Sequence, residues 1–89
     1  MPEDSTDRPE RAAGLEVNEV DDGFVVYQPS PERVHHLNST AAFVLELSNG
    51  ERTQAQIAEE MRSIFGLDEA PLDAVAGCVI ELRSLGLLR

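Results

Sequence analysis

The chain has a single cysteine, no lysine and no long apolar run, and each shortage excludes a class of protein. Cys78 cannot form an internal disulfide, and no cysteine or histidine stands at a metal-ligand spacing from it. No apolar run approaches the roughly 20 residues that span a bilayer, and the N-terminus is acidic where a secretory signal would be basic and then apolar. The sequence therefore predicts a cytoplasmic protein without a membrane segment, and a structural thiol at Cys78.

Positive charge is also scarce. Seventeen acidic residues face seven basic ones, all arginine, which gives a formal net charge of −10. Such a chain repels a polyanion at long range, so nucleic acid is not an expected partner. Acidic residues are dense near the N-terminus, and residues 1–13 are predicted to form a disordered acidic tail. The remaining residues, 14–89, are enough for one small core and one domain.

The apolar pattern after residue 14 predicts three strands followed by three helices. Alternation on both sides of Asp22-Gly23 predicts a hairpin, and the break at residues 28–31 precedes a third strand. The strands are expected at residues 15–20, 24–27 and 33–37, and the helices over residues 40–48, between a Thr53 cap and Gly66, and from Pro71 to about Leu85.

The third predicted helix carries apolar residues over a wider arc than a surface helix needs to cover its core. Arg83 lies inside that arc, where its stem can cover apolar surface while the guanidinium stays free for a carboxylate. Two interpretations stay open: a helix used entirely by a small core, or a helix that partly faces a groove filled by a partner. Gly77 costs about 1 kcal/mol against alanine in a helix interior, which predicts close approach either by the core or by a bound peptide, with core packing as the favoured cause.

No catalytic set of residues is visible, so the sequence predicts neither an enzyme nor a cofactor. Neighbours in a strand point apart, so His35 and His36 are interpreted as an edge-strand pair and not as a metal site or general base. The glycosylation sequon at residues 38–40 is better explained as a helix cap, because no signal peptide is present. The acidic pairs Glu59-Glu60 and Asp68-Glu69 are interpreted as solvated surface.

Residues 34–42, with residues 45–53 and Ile57 behind them, resemble the pyrroloquinoline quinone biosynthesis protein D (PqqD) family. The likeness lies in a strand that ends in Leu-Asn, an Ala-rich helix start and a Gly-x-Arg-Thr turn. The C-terminal Val75, Val79, Leu82 and Gly86-Leu87-Leu88 also resemble that family's last helix and its Gly-Leu close. Ser48-Asn49-Gly50 stands where many members have Cys-Asp-Gly, a departure confined to a turn.

The resemblance implies a winged-helix-like α+β fold, with a three-stranded antiparallel sheet packed on three helices, in a domain that is not a catalyst. Members of the family bind the leader of a ribosomally made precursor peptide and deliver it to a modifying enzyme, often a radical S-adenosylmethionine (SAM) protein. The leader adds as a strand beside the third strand and lies against the third helix. The implied partners are thus a precursor peptide and a modifying enzyme, and an exposed strand edge also permits a homodimer.

Carried over by position, the peptide-binding residues lie on the third strand and on one side of the third helix. On the strand, either Arg33, His35 and Leu37 or Val34 and His36 face the side chains of the ligand, and the sequence leaves this open. Four other residues of the helix region are expected mainly in the core: Val75, Cys78, Leu82 and Leu85. The complete predicted site is Arg33, Val34, His35, His36, Leu37, Leu72, Ala76, Val79, Ile80 and Arg83.

The same order of elements also serves winged-helix transcriptional regulators, which makes DNA binding the alternative function. Docking in a DNA groove would need a basic recognition helix. The second predicted helix, over residues 54–64, has only Arg62 against Glu59 and Glu60, which argues against DNA binding.

Overall fold

The computed structural model describes residues 7–29 and 32–89, which form three antiparallel strands followed by three helices. This order confirms the predicted α+β architecture. The strands are β1 (Glu16–Val20), β2 (Gly23–Pro29) and β3 (Glu32–Leu37), and the helices are α1 (Ser39–Leu47), α2 (Gln54–Phe65) and α3 (Leu72–Ser84). Within the described ranges, no helix is both long enough and apolar enough to span a membrane. The part of the predicted break that falls on residues 30 and 31 lies outside the described residues.

The sheet has the strand order β1-β2-β3, so β2 is central and β3 is an edge strand. Residues 21 and 22 connect β1 to β2, and Gly23 then opens β2 with a φ of +147°. A Cβ on Gly23 would lie 2.7 Å from the carbonyl oxygen of Leu37, at the end of β3. Glycine is therefore required at this position both by its backbone angle and by the close approach of β3.

Side-chain caps fix the ends of α1 and α2. The Asn38 side chain accepts a hydrogen bond of 2.8 Å from the Ala41 amide at the start of α1. Thr53 and Gln56 form the predicted capping box: the Thr53 hydroxyl accepts from the Gln56 amide at 3.2 Å, and the Gln56 side chain accepts from the Thr53 amide at 2.8 Å. Gly66 ends α2 with a φ of +66°, as predicted.

One core lies between a face of the sheet and the three helices. The helices contact one another, and α1 also contacts β2 and β3. The fully or almost fully buried apolar side chains are Val26, Leu37, Ala42, Val44, Leu45, Ile57, Ala58, Met61, Val75, Val79, Leu82, Leu87 and Leu88. Because every helix and two strands contribute to this set, no element has a separate core of its own.

The N-terminal segment, residues 7–12, lies against the ends of the helices, which differs from the disordered tail expected there. The Ala12 amide donates to the Leu87 carbonyl at 2.9 Å, and the Arg11 amide donates to the Ser48 carbonyl at 3.0 Å. Pro9 is fully buried. The charge of this segment suggested a solvated tail, but its backbone pairs with the C-terminal residues of the domain. Residues 1–6 of the predicted tail lie outside the described residues.

Asp7 anchors the N-terminal segment to two helices. Arg83 donates to both oxygens of the Asp7 carboxylate, at 2.7 and 2.9 Å, and the Gln54 side chain donates to the same carboxylate at 2.8 Å. Arg83 lies near the end of α3 and Gln54 at the start of α2, so Asp7 joins the C-terminal end of one helix to the N-terminal end of the other. The hydrogen bonds from Arg83 lower the pKa of Asp7, against the smaller opposing effect of burial.

We expect Asp7→Asn to lower the free energy of unfolding by about 1 kcal/mol at neutral pH, the upper end for a partly exposed ion pair. The pKa of Asp7 is lower in the folded chain than in the unfolded one. Its stabilisation is therefore complete above the unfolded pKa of about 3.9 and is lost as the pH falls through the folded pKa. Urea denaturation at pH 7 and in strong acid checks this, because the difference between the two proteins should disappear in acid. Identical curves at pH 7 would contradict it.

Gly77, in the middle of α3, is exposed, and a Cβ built on it meets no atom of residues 7–29 and 32–89 within 4 Å. The expectation that it marks packing against the core is therefore wrong. We predict that Gly77→Ala raises the free energy of unfolding by about 0.5–1 kcal/mol, because alanine loses less backbone entropy in a helix.

Gly66→Ala is the matched control for this change. Its surroundings are equally open, but its φ of +66° is unfavourable for alanine. We expect the control to lose about 1 kcal/mol or more. Thermal unfolding of the two variants measures both effects, and a loss of stability in Gly77→Ala would show that α3 has a close neighbour there.

Candidate functional site

The outer edge of β3 is open. β3 pairs with β2 on one side, and no residue of the described ranges pairs with its other side. The N-terminal segment, which could have covered this edge, instead forms bridges from Glu10 to Asn49 and from Arg11 to Leu88. A strand from another polypeptide would therefore meet unpaired backbone along β3.

The register of the sheet settles which way the β3 side chains point. His35 lies opposite Val26, which is fully buried under the helices, and Leu37 is only 8% exposed. Because alternate residues share a face, Arg33, His35 and Leu37 lie on the helix side of the sheet. Val34, which is 58% exposed, and His36 lie on the outer side. His35 and His36 thus point to opposite faces, as the sequence predicted.

The backbone N–H and C=O groups of successive β3 residues point alternately toward β2 and toward the open edge. The Leu37 carbonyl faces β2, since it lies 2.7 Å from the Cβ position of Gly23. At the other end, Pro29 has no N–H and cannot form a doubly bonded pair with Glu32, which lies opposite it. Hydrogen-bonded and non-bonded pairs alternate in an antiparallel ladder. Both observations indicate that Arg33, His35 and Leu37 form the hydrogen-bonded pairs with β2. The N–H and C=O groups of Val34 and His36 therefore point to the open edge.

A chain of polar contacts links β3 to the end of α3. His35 Nε2 lies 3.0 Å from Gln28 Oε1, and Gln28 Nε2 lies 3.5 Å from the Gly86 carbonyl oxygen. The Gln28 oxygen can only accept, so its contact with His35 is a hydrogen bond when the proton is on Nε2. The two contacts of Gln28 connect β3 to the turn that follows α3.

The α3 residues of the predicted site have very different exposures. Leu72 and Ile80 are 55% and 70% exposed, and Ala76, half-buried, lies between them with the same four-residue spacing. These three side chains form an accessible stripe on α3. Val79 is fully buried, so it belongs to the core and not to an accessible wall.

The four residues expected in the core divide in a similar way. Val75 and Leu82 are buried, as predicted, whereas Leu85, at the end of α3, is 38% exposed. Cys78 is half-buried against the core, and burial raises the pKa of its thiol, with a smaller contribution from the charge of Glu81. A thiol in this environment is mostly protonated at neutral pH.

Arg83 is engaged by the protein itself. Its guanidinium donates to Asp7, and its Nε donates to the Arg89 carbonyl at 3.0 Å. No Cα atom of β3 lies within 8 Å of a Cα atom of α3 in the described structure, whereas α1 lies close to both elements. The strand part and the helix part of the predicted site are therefore apart from each other, and the N-terminal segment is bonded to Arg83 at the C-terminal end of α3.

Within residues 7–29 and 32–89, no group of three or more His, Cys, Asp and Glu side chains could hold a metal ion. What the described residues do provide is an open strand edge beside a helical layer, which is the arrangement of a winged-helix-like domain suited to strand addition.

Comparison with known proteins places the chain in a family. The model of the family Coenzyme PQQ synthesis protein D (PqqD) matches residues 23–88. The chain belongs to the PqqD family. No curated protein sequence matches it at a significant level.

Two solved structures share the fold. Lasso peptide synthetase B1, solved in complex with the leader peptide, is 21% identical with a TM-score of 0.70, over 93% of this chain and 99% of that one. The other is the solution NMR structure of the PqqD truncation of Methylobacterium extorquens PqqCD, described as a functional, stand-alone recognition element for ribosomally synthesized and post-translationally modified peptides. It is 24% identical with a TM-score of 0.71, over 96% of this chain and 92% of that one.

Sequence reasoning did not identify Gln28 or Asp7 as residues near the site. Gln28 stands in a segment that the two following prolines marked as a break, yet β2 continues through it to Pro29. Asp7 was one of many acidic residues near the N-terminus, and nothing in the sequence distinguished it as the partner of Arg83.

Hydrogen exchange tests the assignment of backbone directions in β3. We expect slow exchange for the amides of Arg33, His35 and Leu37, which bond to β2, and fast exchange for those of Val34 and His36. Residue-resolved NMR exchange on the free protein measures both sets. Slow exchange at Val34 and His36, with fast exchange at the other three amides, would show that the groups facing the open edge are shifted by one residue.

Proposed function

We propose that this domain binds the leader segment of a ribosomally made precursor peptide as an added strand on β3 and presents it to a modifying enzyme. Membership in the PqqD family supports this role. The descriptions of the two structural neighbours, one a complex with a leader peptide and one a recognition element for modified peptides, support it further. The observation that carries the proposal is the unpaired backbone of Val34 and His36 on an edge that the described part of the chain leaves open.

Backbone pairing supplies the affinity in this mode of binding. Val34 and His36 each offer one N–H donor and one C=O acceptor to an incoming strand, and each hydrogen bond contributes about 0.5–1.5 kcal/mol net. These groups are the same for every peptide sequence. Selectivity must therefore come from side chains, which alternate between the helix side and the outer side of the added strand.

On the helix side, a bound leader would lie next to Arg33 and His35, with the stripe of Leu72, Ala76 and Ile80 as the accessible part of α3. Val79 and Arg83 contribute indirectly, because Val79 is buried in the core and Arg83 is held by Asp7. On the outer side, leader side chains would lie beside Val34 and His36. The domain would thus contact leader side chains on both faces of the added strand.

The modifying enzyme is proposed to be a radical SAM protein, and this part rests on the family resemblance alone. In the proposed role the domain itself breaks and forms no covalent bond. A second copy of the chain could also pair with the open edge, so a homodimer through β3 would compete with the leader. A gene for a short peptide next to a gene for a radical SAM enzyme would support the proposed precursor peptide and modifying enzyme.

DNA binding gains no support from the geometry. Arg62, the single basic residue of α2, is paired with Glu59, and the hydrogen bonds between them lower the pKa of that carboxyl. The charge available to a phosphate backbone on α2 is therefore reduced further.

Val34→Pro tests strand addition directly. Proline removes the N–H that points to the open edge, but no bond to β2, and proline is tolerated on edge strands in this orientation. We expect about a tenfold loss of affinity for a synthetic leader from the precursor gene nearest to the gene of this chain, equivalent to roughly 1.4 kcal/mol. Isothermal titration calorimetry provides the measurement.

Val34→Thr is the matched control, because threonine is also β-branched and keeps the N–H. It should bind the leader within about twofold of the wild type. Both variants should show the wild-type circular dichroism spectrum, which separates a lost contact from a lost fold. Equal affinities of the proline and threonine variants would show that the leader does not pair with Val34.

A further inference from the structure

Arg33 is the one arginine on the proposed binding edge, and its side chain has no hydrogen-bond or ion-pair partner within the described residues. Three other arginines are paired with carboxylates, as Arg11–Glu46, Arg62–Glu59 and Arg83–Asp7. Gln28, opposite Arg33 on β2, already uses its amide for His35 and Gly86.

The other residues near Arg33 are not available to neutralise it. Its neighbour Glu32 lies on the outer face of the sheet, where its carboxylate accepts a hydrogen bond of 3.1 Å from the Tyr27 hydroxyl. On the helix side, His35 is bonded to Gln28 and Leu37 is buried. Arg33 is therefore the charged side chain of that face that is left to pair with a charge on a ligand.

We infer that Arg33 selects a carboxylate in the bound strand, so that the leader carries Asp or Glu at the helix-side position facing Arg33. This inference rests on the proposed function. The planar guanidinium matches a carboxylate in a two-bond geometry. Opposite charges across neighbouring strands stabilise the pair, and like charges destabilise it.

The overall charge of the chain makes this selection unusual. A net charge of −10 attracts basic peptides and repels acidic ones at long range. A preference for an acidic residue at one position runs against that general trend. It therefore has to come from a local contact, and the position of the acidic residue identifies the register of the added strand.

A display selection with randomised 12-residue linear peptides tests the inference without a known leader. The wild type, Arg33→Glu and Arg62→Glu are used as targets. The last variant has the same net charge as Arg33→Glu but changes α2, none of whose Cα atoms lies within 8 Å of a Cα atom of the described sheet. Peptides that also bind Val34→Pro are discarded, so that only ligands of the open edge are compared.

We expect the wild type and Arg62→Glu to enrich Asp or Glu at one fixed position, and Arg33→Glu to enrich Lys or Arg there. In one selected peptide, replacing the acidic residue by its amide should weaken wild-type binding by about 1.4- to 5-fold, as for a cross-strand ion pair. The same replacement should leave the affinity of Arg33→Gln unchanged, and the wild-type effect should shrink in high salt.

The outcomes separate the two proposals. The peptides that depend on the open edge could show no enriched acidic position, or the enrichment could persist with Arg33→Glu as the target. Either result would overturn the role of Arg33 and leave strand addition standing. A selection that yields no peptide dependent on Val34 would overturn strand addition, and the role of Arg33 with it.

Discussion

The outer edge of β3 is open among the described residues, and the N-terminal segment, residues 7–12, is held away from it. The N-terminal segment is bonded to the C-terminal residues and to the end of α1, and Asp7 is bonded to Arg83 and Gln54. An intramolecular strand has a high effective concentration and would otherwise compete with any ligand for β3. The placement of the N-terminal segment thus keeps residues 7–12 from competing for the edge.

The local signals in the sequence were sufficient for most of the fold. The Asn38 cap, the Thr53 capping box and Gly66 act within a few residues, so their patterns predicted helix boundaries that the structure confirms. Contacts between distant segments leave no such pattern. The pairing of Arg11 and Ala12 with the far end of the chain uses backbone groups, which every residue type carries, and it could not be predicted from composition.

The candidate site was predictable to a similar extent. Its strand could be located, but the direction of each side chain depends on which face of the sheet the helices cover. On α3, Val79 and Ile80 are adjacent apolar residues of one arc, yet one is fully buried and the other is 70% exposed. A helical wheel gives the width of an apolar surface and not the part of it that faces the core, which depends on where α1 and α2 lie.

The exposed edge of β3 also affects how the protein behaves when it has no ligand. An unpaired strand is a template for aggregation, and Val34 adds an apolar side chain to it. The strand is short, with Glu32 and Arg33 at its start and Pro29 opposite, and short length, charge and proline all act as gatekeepers against fibre growth. The high negative charge of the chain adds repulsion between copies. These features oppose self-association of the domain whenever the edge of β3 is unoccupied.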